Sequence, residues 1–363
     1  MPLHDVGYRG WQGERTGRWA AIGAIASTGI RLAWDSRWLR RAVLFAWSPA
    51  ILFAASFFAF EQAVDEGRVA SLRERARMGR NLDGVGMLGT VLADALGREP
   101  GADRHGDPAE ELVRTRRLVW SRLLLAFMRA PQSVLLAVVV GLVAPTLVSR
   151  DLRAKAWLVY FTRPVGRLEY VLGKVLILTA IVAAITVLPA TALWLVGVLV
   201  SPSINVAIET CDLPLRILAA SVAVAIPTVL LALAYSSLTV ESRIASFAWF
   251  ATWAACWIAH ASLSTADLVA AADGPTVAAT AAADDQRPPP RRTGWISWAA
   301  GLDRAIDRWS WISPYHAVGV IQAWIFGVES RPRAVWPPAC ALITLTVVAA
   351  VVLARRVAAP LRA

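Results

Sequence analysis

The sequence has few of the side chains that usually carry chemistry in an enzyme. Its 363 residues include only three cysteines and four histidines. Cys211, Cys256 and Cys340 lie too far apart for a disulfide framework or a CxxC metal site. The chain has no HExxH helix and no GxSxG nucleophile turn. We therefore expect no catalytic site, no bound metal and no covalent chemistry in this chain.

A phosphate-binding P-loop is also absent from the sequence. Gly-Lys occurs once, at Gly173 and Lys174, and Val175 follows it where a P-loop has Ser or Thr. The preceding glycine, Gly166, lies seven residues before Gly173, whereas a P-loop places four residues between its glycines. We therefore expect this chain to bind neither ATP nor any other cofactor.

Apolar side chains, in contrast, are abundant. Hydrophobic residues make up 57% of the chain, and the mean hydropathy is +0.52. Several uninterrupted apolar runs approach the roughly 20 residues that a helix needs to cross a bilayer, and a soluble fold would leave these runs in water. The sequence predicts an all-α, polytopic membrane protein with six transmembrane helices and additional interfacial helices. The expected spans are residues 42–60, 118–148, 174–200, 214–238, 244–261 and 335–353.

The first span divides the chain into two regions. We expect residues 1–41 to form a cytoplasmic N-terminus with an interfacial helix, and residues 42–363 to form the six-span domain. Within that domain we expect an outer loop over 61–117, a cytoplasmic loop over 149–174 and a second outer loop over 262–334. The two long outer loops are polar or rich in Pro and small residues, which is typical of segments outside the membrane core.

Three further stretches are expected to contact the membrane without crossing it. Ile30, Trp34 and Trp38 recur on one helical stripe, and residues 298–309 repeat this pattern, so we expect two helices in the membrane interface. Residues 311–327 contain an apolar run that is too short to span. We expect this run to dip into the outer leaflet or to pack on the bundle.

The positive charge of the chain is unevenly distributed. The net charge is +11, and segments 1–41, 149–174 and 355–363 together account for all of it. Short basic segments are retained on the cytoplasmic side during membrane insertion. The distribution therefore predicts cytoplasmic N- and C-termini in a multi-pass protein of the cell (inner) membrane that contacts membrane lipid. It argues against nucleic acid as a partner.

Polar side chains are almost absent from the predicted spans. Arg122 and Arg129 interrupt the second span, which we interpret as one long helix. We expect these arginines to snorkel to the membrane surface, and the alternative is that they attract an anionic group of a substrate. Trp249, Trp253 and Trp257 form one stripe on the fifth span, and a packing or lipid-facing role is favoured over stacking with a substrate.

The most distinctive stretch is the loop over 149–174, which reads SRDLRAKAWLVYFTRPVGRLEYVLGK and holds both lysines of the chain. Leu152, Ala156 and Val159 recur at helical spacing until Pro164 breaks the pattern. We expect a short amphipathic helix along the membrane, then a turn, then the start of the third span.

This loop resembles the first cytoplasmic loop of permease subunits in the ABC-2 class of ABC transporters. The likeness is strongest over residues 123–200 and, with weaker stretches elsewhere, extends over more than half of the chain. The residues that carry it are Ala144-Pro145, Ser149-Arg150-Asp151-Leu152-Arg153, Arg163-Pro164, Arg167, Tyr170 and Gly173-Lys174.

The resemblance implies a specific role for the loop. In that class the loop is a coupling helix that docks in a groove of a separate ATPase subunit, which binds ATP and Mg²⁺. Two permeases, identical or similar, pair with two ATPase copies, whose closure pushes on the loop and rearranges the spans. The contact residues implied here are Asp151, Arg153, Arg163, Pro164, Arg167, Tyr170 and Lys174, with Pro164 setting the turn and Lys174 anchoring the loop at the membrane surface.

The resemblance thus implies a permease subunit of an ATP-driven transporter, and export is expected because the class mostly exports. Two other functions stay open on the sequence alone. A receptor or sensor would bind a ligand through the outer segments 61–117 and 262–311, without an ATPase partner. A membrane anchor would hold a complex whose other members carry no nucleotide-binding signature.

Overall fold

The computed structural model describes residues 17–69, 71, 108–156, 166–272 and 308–358. Nearly all of the interfacial helix expected over 298–309 lies outside these ranges, as do most of the two outer loops. Regular structure in the described ranges is entirely helical, which confirms the all-α prediction. The helices are α1 (Arg18–Asp35), α2 (Arg37–Asp65), α3 (Pro108–Arg129), α4 (Pro131–Arg153), α5 (Arg167–Val200), α6 (Asn205–Glu209), α7 (Asp212–Leu238), α8 (Ser242–Ala272), α9 (Pro314–Ile325) and α10 (Pro332–Ala358).

Within the described residues, six helical stretches are long and apolar enough to cross a membrane, as the sequence predicts. Each helical stretch is longer than the apolar run that predicted it. Helical hydrogen bonding continues into flanking polar residues, whereas hydropathy marks only the part suited to the membrane core. The six stretches are Arg37–Asp65, Glu110–Arg153, Arg167–Val200, Asp212–Leu238, Ser242–Ala266 and Pro332–Val357.

α1 covers most of the stretch predicted to form a helix near the N-terminus, but Trp38 of the predicted stripe lies in α2 instead. It ends at Asp35, and extended Ser36 (φ −68°, ψ 115°) separates it from α2. The Ser36 hydroxyl accepts a hydrogen bond from the Leu39 N–H at 3.4 Å and so caps α2. α1 lies against the start of α5, where a Cβ atom on Gly173 would come within 2.5 Å of Ile25. The close approach of these two helices therefore favours glycine at position 173.

The second span is one helical stretch, Glu110–Arg153, as predicted, but it is interrupted once, between α3 and α4. α3 ends at Arg129, and α4 begins at Pro131 after Ala130 (φ −83°, ψ −72°). Proline has no N–H to donate to the carbonyl of Phe127 one turn earlier, so the α-helical ladder is interrupted at this point. The break allows α3 and α4 to pack in different surroundings.

The second half of α3 is buried on all sides. Residues 119–128 are each at most 6% exposed. Phe53 and Phe57 of α2 pack edge-on against Phe127 and Trp120, with ring centroids 5.3 and 5.4 Å apart. Eight of these ten side chains are apolar, and a helical segment with apolar side chains on most sides fits an interior position better than a surface one. α3 is thus the centre of one hydrophobic cluster, to which α5, α7 and α9 also contribute.

A second hydrophobic cluster is built around α4, α5 and α7. It reaches the end of the bundle at which α4 ends and α5 and α8 begin, where Val148, Tyr170 and Val357 belong to it. We call this the loop end of the bundle. The opposite end, at which α2 ends and α7 begins, is the far end.

An ion pair at the far end is buried together with α3. Arg116 donates two hydrogen bonds of 3.1 Å to the Glu61 carboxylate, and the Trp120 indole N–H donates a third at 3.0 Å. Glu61 is 1% exposed and Arg116 is 4% exposed. Arg116 also faces Glu209 of α6 at 3.5 Å. Because its charge and hydrogen bonds are matched, the pair can join α2, α3 and α6 without leaving an isolated buried charge.

Removing one partner of this ion pair should strongly destabilise the protein. Arg116→Gln leaves the Glu61 carboxylate buried without its cation, at a cost of about 3–5 kcal/mol. The matched control is Arg117→Gln, because the side chain of Arg117 is 47% exposed where it pairs with Asp212, and such pairs contribute at most about 1 kcal/mol. Thermal unfolding of the detergent-purified protein should show a large fall in midpoint for the first variant only. Equal shifts would contradict the special role of the buried pair.

Candidate functional site

The end of α4 forms the first part of the predicted coupling loop. α4 ends at Arg153, and the chain then turns with Lys155 at φ +49°. The Ala156 N–H donates to the Asp151 carbonyl at 2.9 Å, and the Lys155 N–H donates to the Leu152 carbonyl at 3.2 Å. This pairing is a Schellman C-cap, in which the left-handed position is usually glycine. A lysine at that position carries a backbone strain of about 1 kcal/mol.

The short amphipathic helix predicted in this loop falls only partly within the described residues. Leu152 belongs to the last turn of α4 and Ala156 to the turn that follows it. Three other positions of the loop, Val159, Arg163 and Pro164, lie outside the described residues.

Three of the predicted contact residues meet at the loop end. The Asp151 Oδ2 atom accepts a hydrogen bond from the Tyr170 hydroxyl at 2.8 Å and lies 2.8 Å from Lys174 Nζ. Lys174 Nζ is also 5.5 Å from the centre of the Tyr170 ring. The side chains of Asp151 and Lys174 are 20% and 12% exposed, so water screens their attraction only weakly. This group joins the end of α4 to the start of α5.

Two other predicted residues lie apart from that group. Arg153 is 2.6 Å from the Glu241 carboxylate in the turn between α7 and α8, and both side chains are more than half exposed. Such an exposed pair contributes little to stability, so Arg153 can exchange this partner for another at small cost. Arg167 is the exposed first residue of α5. Both arginines present positive charge to the solvent at the loop end.

A contact that sequence reasoning missed joins α4 to α7. The Ser236 hydroxyl donates to the Pro145 carbonyl at 2.9 Å and accepts from the N–H groups of Val148 and Ser149 at 3.2 and 3.1 Å. In a regular α-helix the Ser149 N–H pairs directly with the Pro145 carbonyl. The Ser236 hydroxyl is therefore inserted into the hydrogen-bond ladder of α4. Ser149 donates in return to the Ser236 carbonyl at 2.8 Å, and both serines are fully buried.

The sequence signal for this contact is weak. Ser236 and Ser237 are adjacent polar residues near the end of an apolar span, and Pro145 lies in another span. Serines in apolar helices commonly bond to their own backbone, so the pattern does not show that these two helices meet.

Polar side chains also lie inside the bundle, although almost none were expected within the spans. Arg122 is 6% exposed, within the buried helix α3. Arg129 packs against α9, where a Cβ atom on Gly319 would come within 2.5 Å of its Nε atom. The expectation that both arginines snorkel to the membrane surface is therefore wrong, because α3 lies inside the protein. Their attraction for an anionic substrate group stays a hypothesis.

The tryptophan stripe of α8 has the packing role favoured by its spacing. Trp249 is 1% exposed, and its indole N–H donates to the Ala137 carbonyl of α4 at 2.9 Å. The Trp253 ring lies 5.5 Å from the Trp249 ring, whereas Trp257 is 42% exposed. The two inner rings border an apolar cavity of about 20 Å³, which has room for about one water molecule.

A known family matches most of the chain. The family model is described as ABC-2 family transporter protein, and it matches residues 37–358. The matched region includes all six candidate spans and the segment between α4 and α5 that carries the resemblance. A search of curated proteins found no match.

Removing the Ser236 hydroxyl should weaken the contact between α4 and α7. Ser236→Ala removes the hydroxyl that binds two backbone N–H groups and one carbonyl of α4, and a buried intramolecular hydrogen bond contributes about 0.5–1.5 kcal/mol. Ser237→Ala is the matched control, since the Ser237 hydroxyl is also buried but donates only to the Ala234 carbonyl of its own helix. The midpoint of thermal unfolding should fall clearly for the first variant and little for the second. If both unfold at the same temperature, the inserted hydroxyl does not hold the two helices.

Replacing Lys155 with glycine should stabilise the end of α4. Glycine adopts the left-handed conformation without the Cβ clash, so Lys155→Gly should gain up to about 1 kcal/mol. Lys155→Ala is the control, because it removes the charge and keeps the Cβ atom. A rise in unfolding temperature for the glycine variant alone is the expected result. An equal rise for both variants would assign the effect to the charge of the side chain instead.

Proposed function

The chain belongs to the ABC-2 family of transporter proteins, and we propose that it is the permease subunit of an ATP-driven exporter in the cell (inner) membrane. Its family and its six candidate spans make it a multi-pass membrane protein and a component of a transport system rather than a typical enzyme. The observation that carries the proposal is the match of the family model over residues 37–358.

The energy for transport would come from a separate subunit. Permeases of this family generally work with an ABC ATPase, and this sequence has no P-loop of its own. We propose that a partner ATPase binds ATP and Mg²⁺, and that two permeases, identical or similar, assemble with two ATPase copies. Export is proposed because the ABC-2 class mostly exports.

We place the loop end of the bundle in the cytoplasm. Arg40 and Arg41 near the start of α2, Arg150 near the end of α4, and Arg355 and Arg356 near the end of α10 all belong to this end. Because short basic segments stay on the cytoplasmic side, this arrangement supports cytoplasmic N- and C-termini.

The contacts of α4 support a coupling role for the loop that follows it. A force on residues 154–166 acts on the end of α4 and on the start of α5, because the segment joins these two helices. The end of α4 is bonded to α5 through Asp151, to α7 through Ser149 and to the turn before α8 through Arg153. Movement of the loop would therefore reach four of the six spans through direct contacts rather than through lipid.

The predicted contact residues then divide into two roles. Tyr170 and Lys174 are held by Asp151 inside the chain, so we propose that they transmit movement rather than meet the ATPase. Arg153 and Arg167 are exposed, and we propose that they contact the ATPase together with Arg163, with Pro164 setting the turn between them.

Reversing charge in the loop should separate the permease from its ATPase. We expect the double variant Arg163→Glu with Arg167→Glu to lose at least about tenfold of the copurified ATPase, because like charges at an interface cost several kcal/mol. The control is Arg355→Glu with Arg356→Glu, which reverses as many charges near the end of α10. Both variants are purified in gentle detergent, checked for an unchanged unfolding temperature, and analysed by mass spectrometry for bound subunits.

Two outcomes would contradict the proposal. Full retention of the ATPase by the loop variant would remove the coupling role from these arginines. Copurification of the unaltered chain with partners that all lack the GxxxxGK[ST] signature would instead favour the sensor or anchor functions.

A further inference from the structure

A groove of about 440 Å³ opens at the loop end, between the end of α4 and the start of α8. Its walls come from α4 and α8. The two helices meet where the polar end of each gives way to its apolar part. The lining residues are Arg150, Arg153, Val240, Glu241, Ser242 and Arg243.

The groove carries an excess of positive charge. Three of its six residues are arginines and one is a glutamate, and Arg153 is already paired with Glu241 at 2.6 Å. Arg150 and Arg243 are both exposed, and no carboxylate in the described part of the chain forms an ion pair with either of them. Two guanidinium groups facing one groove repel each other unless an anion lies between them. Planar guanidinium groups bind phosphate oxygens particularly well, through paired hydrogen bonds.

The surroundings of the groove identify the kind of anion. Val240, Ile244 and Phe247 beside it are 52%, 58% and 74% exposed. Phe247 follows Arg243 by one helical turn, which places it about 6 Å further along α8. Such exposed apolar side chains next to a transmembrane span face lipid acyl chains rather than water. A molecule that fits this groove therefore has an anionic group beside the arginines and an apolar chain beside Phe247.

We propose that this groove binds one anionic phospholipid, with its phosphate between Arg150 and Arg243 and an acyl chain along Ile244 and Phe247. An acidic surface of a soluble partner could reach the arginines but would leave the two apolar side chains without a partner. The lipid would contact α4 next to the residues that hold α5 and α7. It would thereby stabilise the loop end in the arrangement seen here.

The test uses the full-length chain, stripped of lipid in mild detergent and titrated with phosphatidylglycerol while bound lipid is counted by native mass spectrometry. Phosphatidylcholine, with the same acyl chains, is the neutral comparison. Arg150→Gln with Arg243→Gln should weaken phosphatidylglycerol binding by roughly thirtyfold, as expected for two basic residues at a membrane surface. Arg355→Gln with Arg356→Gln is the matched control, and it should change the affinity by less than about threefold.

Each other outcome would overturn the proposal. Equal affinity for the two lipids would show that no anionic headgroup is recognised. An equal loss in both variants would indicate a general attraction to positive charge. Displacement of the lipid by millimolar inorganic phosphate would reduce the site to an anion site without lipid recognition. If the groove variant keeps its lipid, Arg150 and Arg243 do not hold the headgroup. None of these measurements on the isolated chain bears on the coupling role of residues 154–166.

Discussion

The buried hydroxyl of Ser236 is the contact on which the loop end of the bundle depends. Inside an apolar bundle every backbone N–H and carbonyl needs a partner. The Ser236 hydroxyl donates to the Pro145 carbonyl and accepts from the N–H groups of Val148 and Ser149, and these bonds fix α4 against α7. Two residues after Ser149, Asp151 binds Tyr170 and Lys174 of α5. The two polar contacts thus lie side by side where α4, α5 and α7 meet.

The two ends of the bundle are held by different kinds of interaction. At the far end the Glu61–Arg116 pair and the aromatic rings around α3 are almost fully buried, and such contacts are costly to separate. At the loop end the outermost ion pair, Arg153 to Glu241, is exposed on both sides and exchanges at little cost. This pair can therefore change partners while the buried contacts at both ends stay in place.

Hydropathy was sufficient to predict the six spans, because each must present a long apolar surface whatever it packs against. It could not predict that α3 is buried in protein, since apolar side chains look the same whether they face lipid or another helix. The pairing of Glu61 with Arg116 joins residues 55 positions apart in the sequence. Hydrophobic periodicity gives no information about contacts between residues so far apart along the chain. Asp151, Tyr170 and Lys174 were identified through a family resemblance, and only the fold shows that they bind one another.

We propose that movement of the loop enters the membrane through the end of α4. This coupling is tested most directly by amide hydrogen exchange on the permease with its copurified ATPase, compared between the nucleotide-free state and the state trapped with ADP and vanadate. We expect protection to change together in residues 145–153, 167–174 and 233–241. A change in residues 154–166 with unaltered exchange in those three segments would contradict it.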